Sequence, residues 1–108
     1  MKDSVYYPSS WIVFKVKDTG LYKLLGGSLV SDGYLNDKSW RVNSGITHIE
    51  DDGQNWLFHG TSGSVYVCAK TAYAMRMAMG KVFYTIKDSV DLLDEDTNWM
   101  ELDYSKGV

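Results

Sequence analysis

The apolar pattern of this chain changes period once, at Thr71, and that change restricts the architectures open to it. Before Thr71, β-branched and aromatic residues come in short runs cut by turn residues. After it, Ala72, Met75, Met79, Val82, Phe83 and Ile86 recur at helical spacing. The first run, Trp11-Ile-Val-Phe-Lys-Val-Lys17, reads as a strand with Ile12, Phe14 and Val16 on one face and Val13, Lys15 and Lys17 on the other. Asp18-Thr-Gly20 reads as a tight turn and Leu21–Leu25 as the returning strand. Gly26, Gly27 and Gly33 bracket an irregular connection in which Leu29-Val30 pairs briefly, with turn signals at Asp32-Gly33 and Asn36-Asp37.

Ser39–Asn43 reads as a third strand that continues past Gly45 through Ile46–Glu50, the glycine marking a bulge or a close backbone approach. Asp51-Asp-Gly53 is a turn; Trp56–His59 and Ser64–Cys68 follow as strands joined by Gly60-Thr-Ser-Gly63. Such short connections predict antiparallel pairing, because parallel strands need long crossovers. A helix over about residues 71–88, N-capped by Thr71, covers one sheet face and leaves the other wet. Inside it, Gly80 costs roughly 1 kcal/mol relative to Ala and marks either a close approach or a position of no consequence. The expected fold class is α+β: a twisted antiparallel meander of about four to six strands covered by one helix in the C-terminal half.

A chain of 108 residues, 44% of them hydrophobic, buries one core without staples. Cys68 is the only cysteine, which excludes an intrachain disulfide and points to a reducing compartment. Met1–Pro8 lacks the apolar centre of a signal peptide, and no apolar run approaches the roughly 20 residues of a membrane span. The expectation is a soluble cytoplasmic protein with no membrane association.

Charge divides the chain into a body, residues 1–87, and a C-terminal segment, residues 88–108. The body has ten Lys/Arg against seven Asp/Glu, whereas the segment has seven acids and one base, Lys106. Body cations such as Lys15, Lys17, Lys23, Lys70, Arg76 and Lys81 are scattered, and a net charge of −3 with pI near 5.2 argues against nucleic acid as a partner. The segment mixes its acids with Leu92, Leu93, Trp99, Met100, Leu102 and Tyr104, a composition suited to docking on a basic, partly apolar protein surface. In that role Asp91, Asp94, Glu95, Asp96, Glu101 and Asp103 mimic spaced phosphates, and Trp99, Leu102 and Tyr104 serve as anchors. The same residues are also consistent with a docked arm, or with an edge strand over 98–104, that completes the core.

Signals for chemistry are sparse. His48 and His59 stand eleven residues apart on different strands, and Cys68 is alone; neither a metal site nor a cofactor is expected. Cys68 sits between Val67 and Ala69 like a buried structural thiol, and a hairpin centred on Ser62-Gly63 sets it nearer Leu57 than His59. With no paired carboxylates or activated nucleophile, an enzyme is not expected. Gly60–Ser64 lacks the Gly-Lys-Ser/Thr ending of a phosphate loop. An alternative binding surface is the row Ser39, Arg41 and Asn43, joined by His59. There the Arg41 fork could hold a carboxylate or phosphate, or receive the acidic segment, and nearby aromatics could stack bases.

The order Trp11-Ile-Val-Phe, then Gly33-Tyr-Leu, Ser39-Trp-Arg-Val-Asn-Ser-Gly-Ile46, then Leu57-Phe-His-Gly-Thr-Ser-Gly-Ser-Val-Tyr-Val-Cys68 resembles small proteins encoded by tailed bacteriophages. The likeness rests on glycine and aromatic positions between roughly residues 6 and 85. It implies no activity and no functional residue. What it implies is a setting: a non-virion protein made in the bacterial cytoplasm during infection. There a small acidic protein acts by binding a host protein, such as a nucleic-acid-handling factor.

Overall fold

The computed structural model describes residues 4–31, 34–76 and 78–107. The elements run β1 (Val5–Tyr6), β2 (Pro8–Val16), β3 (Tyr22–Ser31), β4 (Tyr34–Val42), β5 (Ile46–Asp51), β6 (Asn55–Gly60), β7 (Val65–Ala69), α1 (Ala78–Ile86) and β8 (Val90–Leu92). They form two four-stranded sheets, ordered β4-β3-β2-β8 and β1-β7-β6-β5. The fold is α+β, but the strands divide between two sheets where the sequence suggested a single meander. No helix among the described residues is long and apolar enough to cross a membrane.

The division follows from β2. Ser10 to Phe14 are all buried, so this strand has no wet face. Trp11 and Val13, with Leu24, join Ile46, Phe58, Tyr66 and Cys68 of the other sheet in one core. Ile12 and Phe14, with Leu25, join Met79 and Val90 in a second core, bordered by Val82, Phe83 and Ile86 of α1. The β4-β3-β2-β8 sheet is thus the middle of three layers, and a strand buried on both faces reads as a continuous apolar run. The Trp11 indole N–H donates to the Ala69 carbonyl at 2.7 Å and ties the two sheets together.

The chain passes between sheets at 43–45, the stretch read as one bulged strand. Gly45 takes a φ of +141° against the Leu21 side chain, and the Asn43 side-chain oxygen accepts from the Leu24 N–H at 2.8 Å. Pairing is antiparallel and sequential in β2-β3-β4 and in β5-β6-β7, whereas β1 lies parallel to β7 and β8 antiparallel to β2.

Two local readings also change. Gly26 and Gly27 lie within β3, not in an irregular connection, because each is closely approached on one side: a Cβ at Gly26 would fall 2.8 Å from the Pro8 Cβ, and one at Gly27 2.3 Å from the Cγ of Met79 in α1. The helix itself begins at Ala78, not Thr71. Residues 72–74 are instead held extended along β2, with Ala74 N donating to Trp11 O at 3.1 Å and the Tyr73 ring edge-on to Trp11.

Candidate functional site

The C-terminal segment packs its aromatics inward and its acids outward. Trp99 is 2% exposed, in a 3-10 turn (Trp99–Glu101), where its ring meets Trp11, Tyr73 and Phe58. Leu102 and Tyr104 are half-buried; the Tyr104 ring packs edge-on to Tyr22 and its hydroxyl donates to the Trp99 carbonyl at 2.6 Å. These three side chains therefore fill the open end of the sandwich and are not presented as anchors. The strand of the segment is Val90–Leu92 on the edge of the middle sheet, and 98–104 forms none, because Trp99 turns into the core.

Asp91, Asp94, Glu95, Asp96, Glu101 and Asp103 are all exposed. Asp91 lies 3.9 Å from the Lys17 ammonium, an exposed pair of little energetic weight. Asp94, Glu95 and Asp96 form the turn after β8, closed by Thr97, whose N–H and hydroxyl both donate to the Asp94 carbonyl. Asp103 accepts from the Ser105 side chain and N–H, which hold its carboxyl below the usual range. Among the described residues no cation pairs with Asp94, Glu95, Asp96 or Glu101. The exposed apolar neighbours are Leu92 and Met100. Met100 lines a groove of about 370 Å³ with Thr47, His48, Ile49, Tyr104 and Ser105.

Arg41, Asn43 and His59 are not brought together. Arg41 lies over the Tyr6 ring at 4.3 Å, beside Tyr66, and so clasps the outermost strand of one sheet to that of the other. Asn43 is buried and holds the Leu24 N–H. Ser39, the third member of that row, accepts from Leu29 N and donates to Asn36 O, bracing the irregularity at Ser28. Tyr66 and Cys68 point into the core, so His59, the residue after Phe58 (the cross-strand partner of Tyr66), points outward. Cys68 and His59 consequently lie on opposite faces of one sheet. Burial pushes the Cys68 thiol well up, as expected of a structural cysteine.

A constellation that spacing along the chain did not reveal lies on that outer face. Between Ile46 and His48 the β5–β6 register shifts by one, so His48 pairs with His59 and Glu50 with Leu57. In unbroken register Thr47 would face His59, and His48 would join the opposite face. The two imidazoles stack at 4.0 Å with planes 11° apart, and the His59 Nε2 lies 3.6 Å from a Glu50 carboxylate oxygen. That nitrogen is buried and has no hydrogen-bond partner.

Against protein-family models, curated proteins and solved structures, the chain shows no match.

Proposed function

We propose that this protein is a protein-binding modulator that docks a basic surface of its partner through the exposed acids between Asp91 and Asp103. Its main support is an exposed row of acids: Asp94, Glu95, Asp96 and Glu101 face solvent and pair with no cation among the described residues, on a segment anchored by the buried side chains of Val90 and Trp99. A row held in place loses little conformational entropy on binding, and unpaired carboxylates attract a basic groove from a distance. The partner with matching chemistry is a protein whose groove otherwise holds nucleic-acid phosphates. In the setting that the phage-like segments imply, it is a host protein. With Trp99 inside, apolar contact at this surface falls to Leu92 and Met100.

The test is capture from bacterial lysate with the full chain and with a variant carrying Asp94→Lys, Glu95→Lys and Asp96→Lys. A partner retained by the native chain, lost by the folded variant and displaced by duplex DNA supports the reading. Equal retention by both chains defeats it.

A further inference from the structure

We propose that His48, Glu50 and His59 form a binding site for a divalent transition-metal ion of the zinc class, on the outer face of the β1-β7-β6-β5 sheet. Two imidazoles and one carboxylate are a zinc-type donor set that leaves a fourth position open for water or another ligand. One donor atom from each residue lies within 4.8 Å of the others. Metal–ligand bonds of about 2.1 Å place tetrahedral donors about 3.4 Å apart. The His59–Glu50 separation of 3.6 Å is already near that, and His48 and Glu50 are exposed and can swing the remainder.

Three further observations favour an ion over a simple stacked pair. At 3.6 Å the contact between His59 Nε2 and Glu50 is too long for a hydrogen bond, so an enclosed ring nitrogen has its lone pair or proton unsatisfied. Thr47 orients the second ring. Its hydroxyl donates to the His59 carbonyl at 3.2 Å and has one hydrogen, so at 3.1 Å it accepts from His48 Nδ1–H. That tautomer leaves the His48 Nε2 lone pair available, the outer-shell arrangement that metal-binding histidines use. Finally, the bulge at Thr47 supplies both the alignment and the orienting hydroxyl.

The chain has two histidines, both in this cluster, which makes the test direct. Zinc alone is titrated into the untagged full-length protein by calorimetry, with the imidazole NMR signals followed in parallel. The expected result is one ion per chain with a dissociation constant in the micromolar range, both imidazoles shifting together, and release on acidification because the ligand nitrogens must be unprotonated. His48→Ala, an exposed change, weakens binding at least tenfold, and Glu50→Gln weakens it several-fold. His59→Gln, checked by circular dichroism, abolishes the coupled shift. Absence of saturable binding, or binding unmoved by His48→Ala, overturns the proposal. So does binding lost in an Asp94→Asn, Glu95→Gln, Asp96→Asn variant while both imidazole signals stay in place, because the ion would then belong to the acidic turn.

Discussion

At the scale of single residues, the tyrosine hydroxyls make this fold sensitive to alkali. Tyr73 donates to the Leu93 carbonyl and Tyr104 to the Trp99 carbonyl, and both rings line the core. Burial pushes Tyr73 from 10.0 up to about 12 and Tyr104 higher still. Because the folded state favours the neutral phenol, its contribution is complete below the unfolded value near pH 10. It declines as pH rises through the folded value. Melting temperature should therefore fall between pH 10 and about pH 12, where Tyr73 titrates. Tyr73→Phe should cost about 1 kcal/mol at neutral pH, through the orphaned Leu93 carbonyl, and should shrink the alkaline fall. Melts of both chains across that range decide it; parallel curves would mean that Tyr73 carries no linkage. Cys68, buried beside Tyr66, should resist thiol reagents until the chain unfolds.

At the scale of elements, two glycines, one within α1 and one beneath it, behave oppositely. Nothing lies within 4 Å of a Cβ built on Gly80 in α1, so Gly80→Ala should stabilise by about 0.5–1 kcal/mol through helix propensity alone. At Gly27 a Cβ would fall 2.4 Å from the Met79 sulfur, so Gly27→Ala should destabilise by about 1–3 kcal/mol. Combined with Met79→Ala, that change should cost less than the two single changes added, since the smaller side chain removes the clash. Denaturant melts of the native chain, the three single variants and the double variant test both statements. The same pair illustrates what could be read in advance. Turns at Asp18–Gly20, Asp51–Gly53 and Gly60–Gly63 and most strands were legible because glycine chemistry and alternation act locally. The helix start was not, because Tyr73 packing on Trp11 outweighs the periodicity of Ala72. Nor were the sheet change at 43–45 and the register shift at Thr47, which depend on what the neighbouring strand offers. The exposed acids of the candidate surface were legible from charge alone. The inward turn of Trp99 and the meeting of His48, Glu50 and His59 were not.

At the scale of the whole molecule, one segment both closes the core and carries the surface charge, and these two roles call for different experiments. Removing residues 88–108 deletes β8 from the edge of the middle sheet and withdraws Trp99 from a core containing Trp11, Phe58 and Tyr73. Loss of a buried Trp side chain typically costs about 3–5 kcal/mol, against a total stability of about 5–15 kcal/mol for a domain. The Leu93 and Tyr104 contacts go with it. A chain ending at Lys87 should therefore show no cooperative melt, and its failure to bind a partner would report unfolding and not recognition. Reversing Asp94, Glu95 and Asp96 touches side chains that are exposed and make no ion pair among the described residues. Stability should then stay within about 0.5 kcal/mol of the native chain. The comparison is made by near-ultraviolet circular dichroism and thermal melting of the two variants side by side. A cooperative transition with native aromatic signal in the shortened chain would make the segment an appendage. If only the charge variant keeps both, the segment's part in folding resides in its buried side chains, and the proposed recognition can be tested only through the acids.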